Sequence, residues 1–120
     1  MDIKALFKIS YGLYVVASRE NGKDNGCIIN TFSQVTDTPL RVSVTVNKLN
    51  LTHDMIKNTG DFTVSVLSTA APFGVFQNFG FRSGKDADKF AETRTRRCEN
   101  GVLRLAENIN AFVSDRKSVV

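Results

Sequence analysis

Apolar residues recur at every second position along most of this chain, and a period of two commits it to extended strands. Leu13, Val15 and Ala17 alternate with Tyr14, Val16 and Ser18, and both sets are apolar enough for a strand covered on two sides. Asn21-Gly22 and Asn25-Gly26 follow, two dipeptides that tolerate positive φ and favour turns. Alternation resumes from Cys27 to Gln34, so residues 13–34 read as a hairpin around a polar loop. Beyond the boundary at Pro39, Val42, Val44 and Val46 point in while Arg41, Ser43 and Thr45 point out. Phe62, Val64 and Val66 repeat the pattern between Gly60 and Ser68, and a last strand is expected around Asn108 to Ser114.

Short helices punctuate these strands. Leu51, Met55 and Ile56 share one face of a helix over residues 51–59, with Asn50 or Thr52 as its cap and Gly60 as its stop. Pro72 suits the first turn of a second helix carrying Phe73 and Phe76, ended by Gly80. A third is expected to start at Ser83 or Asp86 and run to about Glu92, and an amphipathic helix with Ile3, Leu6 and Phe7 is expected over residues 2–9. The order helix, β, β, β, α, β, α, α, β lacks the crossover helices of a parallel sheet. It implies a mainly β fold: a closed or nearly closed antiparallel barrel with helices at its rim.

The chain has 120 residues, one domain's worth. With 42% hydrophobic and 23% charged residues it has an ordinary globular balance, which excludes disorder by composition. No apolar run approaches the roughly 18 residues a spanning helix needs, so no membrane partner is expected. The N-terminus lacks the apolar stretch of a signal peptide, so a cytoplasmic location and two free thiols, Cys27 and Cys98, are expected. The net charge of +4 suits a phosphate-bearing ligand or an acidic partner, but is too small to argue for nucleic acid.

Several chemistries are missing. Gly80-Phe81-Arg82-Ser83-Gly84-Lys85 is one residue short of a Walker A loop, and Asp86 stands where Ser or Thr should hold Mg²⁺. One His and two distant Cys make no plausible metal cage. His53 has no nucleophile motif to serve, so hydrolysis is not expected. Two segments remain. Asn30-Thr31-Phe32-Ser33-Gln34-Val35-Thr36 ends a strand in polar residues, which either hold a ligand or run out into solvent. In Asn47-Lys48-Leu49-Asn50-Leu51-Thr52-His53 a strand end passes Lys48 into a helix start. That is either a phosphate pocket or a capped helix beside a solvated lysine. Phe73, Phe76, Phe79 and Phe81 can wall an aromatic ring or simply form core, and Thr93-Arg94-Thr95-Arg96-Arg97 reads best as a charged turn on a solvated face.

The segments also follow one another in a recognisable order. Ile9-Ser10-Tyr11-Gly12-Leu13-Tyr14-Val15-Val16 leads into Asn25-Gly26-Cys27-Ile28-Ile29-Asn30-Thr31-Phe32-Ser33-Gln34-Val35-Thr36 and Pro39. Asn47-Lys48, Asn50, Thr52-His53, Ile56 and Gly60-Asp61-Phe62-Thr63-Val64-Ser65-Val66-Leu67 come next. Phe79-Gly80-Phe81-Arg82-Ser83-Gly84 then precedes Asp88-Lys89-Phe90. From about residue 3 to about residue 113 the set resembles the flavin reductase-like family with the FMN-binding split barrel, which includes flavoredoxins and the flavin domain of high-molecular-weight rubredoxins.

The resemblance implies an antiparallel Greek-key split β-barrel with short peripheral helices, residues 1–120 forming one FMN-binding domain. It implies a homodimer with FMN near the subunit interface and NAD(P)H as co-substrate. Hydride passes to flavin N5, then electrons pass to a redox protein or a small-molecule acceptor, and the flavin carries the chemistry without a catalytic side chain. Asn30, Thr31, Phe32, Val35 and Thr36 are implied along the isoalloxazine and ribityl chain. Asn47, Lys48, Asn50, Thr52 and His53 are implied near the phosphate, and Phe81, Arg82 and Ser83 on the nicotinamide or partner-subunit side. Family members continue past Asn108-Ile109-Asn110-Ala111-Phe112 with further strands, whereas this chain ends Asp115-Arg116-Lys117-Ser118-Val119-Val120. A C-terminally shortened member is therefore expected. The rival expectations are a dimer that keeps the fold without turnover, and a small basic β-barrel that binds nucleic acid.

Overall fold

The computed structural model describes residues 12–80, 88–91 and 93–116. The helix expected at residues 2–9 lies outside them, as do Ser83, Asp86 and Glu92 of the expected third helix. Residues 88–91 form a turn, with the Ala91 N–H directed at the Asp88 carbonyl 3.4 Å away.

Strands β1 (Tyr14–Glu20) and β2 (Lys23–Ile29) form the first hairpin. Its turn is Asn21-Gly22, whose φ values of 52° and 79° give the two positive angles that a two-residue turn needs to match strand twist. Asn25-Gly26, expected to turn as well, lies inside the ladder opposite Ser18 and Ala17. The absence of a side chain there is required by close packing. A Cβ on Gly26 would sit 3.0 Å from the Val16 carbonyl oxygen and 3.3 Å from Cζ of Phe90.

The second hairpin strand stops at Ile29 instead of running to Gln34. The ladder with β1 ends there, and the chain bends at exposed Asn30. Strand β3 (Phe32–Thr36) then pairs with β4 (Arg41–Val44) in a sheet of its own. Helix α1 (Leu51–Thr59) starts and stops as its caps dictate: the Asn50 side chain accepts the Thr52 N–H, and Gly60, at φ 81°, donates to the Ile56 carbonyl. Strand β5 (Asp61–Leu67), helix α2 (Phe73–Gly80), a hairpin of β6 (Thr95–Arg97) and β7 (Leu103–Leu105), and β8 (Ile109–Arg116) complete the order. The charged turn expected at residues 93–97 is thus largely a strand. Its Arg97 donates to the Asp24 carboxylate at 3.1 Å, while Arg19 grips the same carboxylate at 2.9 Å.

The main sheet runs β2-β1-β5-β8, antiparallel throughout. Each of its faces carries a buried core, while the edge strand β8 stays largely exposed. Val15 and Ala17 join Phe79, Phe90, Val102 and Leu105 in one core, while Val16, Cys27, Ile29, Phe62 and Val64 form the other. The second core is closed by Ile56 of α1 and by Phe32, Val44 and Val46. Thr63 and Ser65 of β5 are buried too, because their hydroxyls dock β7: Thr63 donates to the Leu103 carbonyl at 2.7 Å and Ser65 accepts the Leu105 N–H at 3.1 Å. The fold is therefore the expected mainly β, antiparallel split-barrel type. Its described strands form three separate sheets around two cores instead of one continuous closed sheet.

Phe79 lies fully buried, its ring 5.1 Å from that of Phe90. Phe79→Ala should cost about 3–5 kcal/mol in a urea melt; a loss under about 1 kcal/mol would mean that α2 contributes little to the first core. Burial pushes the Cys27 thiol up, against the opposing pull of a Thr52 hydrogen bond and the Lys89 ammonium. The unfolded chain therefore releases this proton first. Its contribution to stability is complete below the ordinary thiol range, roughly pH 8.5, and is lost as pH rises beyond it. Cys27→Ala should flatten the alkaline fall in stability between about pH 8 and 10, and parallel curves for the two proteins would exclude Cys27 as a source of that fall.

Candidate functional site

Strand β3 is exposed because only β4 pairs with it among the described residues, leaving its second edge open. Asn30 and Thr31 are exposed at its start. The Thr31 hydroxyl donates to the Thr45 carbonyl at 2.6 Å, and the Thr36 hydroxyl donates to the Pro39 carbonyl at 2.6 Å. Both protons are committed to the backbone, so these side chains can only accept from a ligand. Phe32 turns inward, edge-on to Tyr14 with ring centroids 5.2 Å apart. Val35 is 60% exposed. Ser33 and Gln34, which lie between them, are exposed as well.

The segment from Asn47 to His53 is a tight turn running into α1. The Asn47 side chain accepts the Leu49 N–H at 2.9 Å, and its carbonyl accepts the Asn50 N–H at 3.0 Å. This turn presents Lys48 and Leu49 to solvent, Leu49 with 88% of its surface exposed. Lys48 has no partner among the described residues. His53 is partly exposed, its Nδ1 3.1 Å from the Asp54 carboxylate. Thr52 departs from expectation: its side chain is fully buried, and Oγ1 accepts from Asn25 Nδ2 at 2.9 Å. Its role at the site is to anchor the helix start, since its hydroxyl is turned away from solvent.

Backbone pairing brings the two segments together. Phe32 lies opposite Val44, and the Thr45 N–H reaches the Thr31 carbonyl at 3.1 Å. The chain then runs through Val46 into Asn47, so Asn30, Thr31 and Phe32 share one end with Asn47–His53. Val35 and Thr36 lie at the other end, beside Arg41, roughly 13 Å along the strand. Phe81, Arg82 and Ser83 lie outside the described residues.

Three supporting residues were not singled out from sequence. Asn25 and Cys27 both face Thr52, and Lys89 is only 2% exposed with Nζ donating to the Gly26 carbonyl at 2.8 Å. The period of two does place Asn25 and Cys27 on one face. Nothing marks Lys89 as buried, since its neighbours are Asp88 and Phe90. A groove of about 520 Å³ lies elsewhere, lined by Val75, Asn78, Asp88, Thr93 and Glu107 among others, and shares no residue with either candidate segment.

Comparison with known proteins agrees with this architecture. The family model described as flavin reductase like domain matches residues 6–114. A high molecular weight rubredoxin of Moorella thermoacetica is 38% identical over 113 residues, covering 94% of this chain and 49% of the relative. A ferric-chelate reductase (NAD(P)H) of Archaeoglobus fulgidus is 39% identical over 113 residues, covering 94% of this chain and 67% of the relative. The chain thus spans about half of the first relative and two thirds of the second. Among solved structures, an NADH:FAD oxidoreductase of Streptomyces globisporus superposes with a TM-score of 0.80 at 23% identity, over 93% of this chain and 66% of that one. A flavoredoxin of Methanosarcina acetivorans gives 0.77 at 20%, over 91% and 58%. These two show the shared fold. The family match over most of its length, with relatives above a third identical, shows that this chain belongs to the flavin reductase-like domain family.

Proposed function

We propose that this chain is an FMN-binding flavoprotein that works as an NAD(P)H:flavin oxidoreductase or as a flavoredoxin-type electron carrier. The observation that carries the proposal is the pairing of one cation, Lys48, with the open, uncharged edge of β3 at the same end of the molecule. That donor set suits a ligand with a phosphate at one end and a neutral plane along its length. Among the described residues of the two segments, one lysine fits a monophosphate better than a longer phosphate chain. Membership of the flavin reductase-like family supports the same reading, as do relatives named as a ferric-chelate reductase and a high molecular weight rubredoxin.

Lys48 holds the phosphate by a charge-assisted contact, and Asn47 and Asn50 fix the turn that presents it. His53 lies in the first turn of α1 on the same approach. Asn30, Thr31 and the open backbone edge of β3 take the ribityl chain and ring, with Val35 and Thr36 at the far end and Phe32 packed beneath. When bound, FMN supplies the centre that takes hydride and passes on electrons. The side chains bind and orient it, and Phe81, Arg82 and Ser83 belong to the side that meets NAD(P)H or a partner subunit. A single domain, a homodimer and a redox-protein or small-molecule acceptor complete the proposal. A cytoplasmic setting fits the two free cysteines, Cys27 and Cys98.

Titration of the purified chain with FMN, followed by flavin absorbance, tests this reading. Saturable binding and NAD(P)H-dependent bleaching are expected. Lys48→Ala should weaken FMN by roughly ten- to a hundredfold, the equivalent of a contact worth about 1.5–3 kcal/mol. An unchanged Kd removes Lys48 from the phosphate site, and a wild-type chain that takes up no flavin overturns the reading as a whole. Steeply salt-dependent oligonucleotide binding in its place would favour the nucleic-acid reading.

A further inference from the structure

Lys89 is the most buried charged side chain among the described residues, and the flavin proposal gives it no part. A buried ammonium is stable only where several acceptors replace water. Here Nζ donates to the Gly26 carbonyl at 2.8 Å and reaches the Phe79 carbonyl, near the C-terminus of α2, at 3.4 Å. Its own backbone carbonyl accepts from the Asn78 side chain and from the Thr93 hydroxyl. Phe90, the next residue, packs on Phe79 and fills the space that a side chain at position 26 would need. Lys89 is therefore held by α2 on one side and holds β2 on the other.

What it holds on β2 gives the contact its reach. The Gly26 carbonyl belongs to the peptide joining Gly26 to Cys27. The two residues flanking Gly26 both face Thr52 in the first turn of α1: Asn25 donates to its hydroxyl through Nδ2 at 2.9 Å, and the Cys27 thiol lies close enough for Thr52 to pull against its burial. Thr52 in turn has its N–H capped by Asn50, in the turn that presents Lys48. The buried Lys89–Gly26 and Asn25–Thr52 hydrogen bonds, joined through the β2 backbone, thus link Lys89 to Thr52, whose N–H is capped by Asn50 in a partly buried bond. Their members lie in three separate parts of the chain.

We propose that Lys89 is a positioning residue for the phosphate end of the flavin site, acting through the Asn25-Gly26-Cys27 stretch of β2 to set the start of α1. The proposal rests on the flavin reading for its ligand, while the coupling itself belongs to the apo protein. Removing the ammonium leaves the Gly26 and Phe79 carbonyls without their donor in a low-dielectric interior, and the peptide between Asn25 and Cys27 loses its orientation. A purely structural role would lower stability and leave the site of the folded protein as it was. Amide exchange reads that coupling directly.

Residue-resolved amide exchange on the apo protein, with FMN titration beside it, separates the two roles. Lys89→Met keeps the chain length and removes the donor. It should raise exchange at the Thr52 and His53 amides at least tenfold relative to the centre of β5, and weaken FMN about fivefold or more in the folded fraction. Thr52→Val reads the same coupling from the other end and should raise exchange at the Phe90 and Thr93 amides. The double variant should weaken FMN by less than the product of the single effects, as coupled sites do. Lys89→Met that melts earlier, yet leaves exchange at Thr52 and the FMN Kd unchanged, reduces Lys89 to a clamp and overturns the proposal. Should Lys89→Met fail to fold, Thr52→Val decides alone, and unchanged exchange at Phe90 and Thr93 overturns it. A wild-type chain that binds no FMN sinks the flavin reading, while the exchange measurements still decide the coupling.

Discussion

Everything in this structure follows from the burial of β1 on both faces. Val15 and Ala17 point into one core, and Val16 and Ser18 point to the opposite face. A strand apolar on both sides cannot stop at one cover, because each exposed face would leave a stripe of valines in water. The chain therefore builds two covers from unlike parts. Helix α2, the turn at residues 88–91 and the β6–β7 hairpin close one face; helix α1 and the β3–β4 hairpin close the other. The described candidate site residues belong to the second cover, and the Lys89 contacts join the first cover to the edge of the sheet.

Features encoded locally were legible in the sequence. The period of two over residues 13–18 reports two-sided burial directly, and the sequence Asn50 to Gly60 carries both ends of α1 in its cap chemistry. Features decided by distant partners were not legible. Asn25-Gly26 has the local chemistry of a turn, yet tertiary packing against Val16 and Phe90 keeps it extended, and Asn21-Gly22 turns in its place. The alternation through Cys27–Gln34 carries no mark of the bend at Asn30, since both strands on either side keep the same period. The β6–β7 hairpin is hidden for another reason. Its strands are three residues each, too short to show a period, and it is held partly by the Thr63 and Ser65 hydroxyls of β5 and by an arginine bridge to Asp24.

The site divides along the same line. Lys48 and the exposed polar run of β3 are visible as residue types at a strand end and a helix start. The direction a side chain takes is not. Thr52 looks like a hydroxyl offered at a helix N-terminus, but its place in the first turn brings it against Asn25 and Cys27, and it becomes an anchor. Lys89 is the converse case: a lysine beside an aspartate that reads as solvated surface and proves to be buried between two backbone carbonyls.

The candidate site rests on the least supported element of the fold, and its support is uneven. A two-stranded sheet is marginal by itself. The β3–β4 sheet is held at one end, where Phe32, Val44 and Val46 enter the second core and Thr31 is bonded to Thr45 through both hydroxyl and backbone. Toward Val35, Thr36 and Arg41 the strands are exposed, and their pairing is interrupted by an irregularity between Gln34 and Thr36. Local opening is cheapest where apolar contacts are few, so rigidity falls from the Thr31 end to the Thr36 end. On the proposed reading, a ligand would be fixed where Lys48 and the start of α1 take its phosphate. Its ring would lie toward the more yielding end, where a fold of this kind can admit a second reactant without disturbing either core.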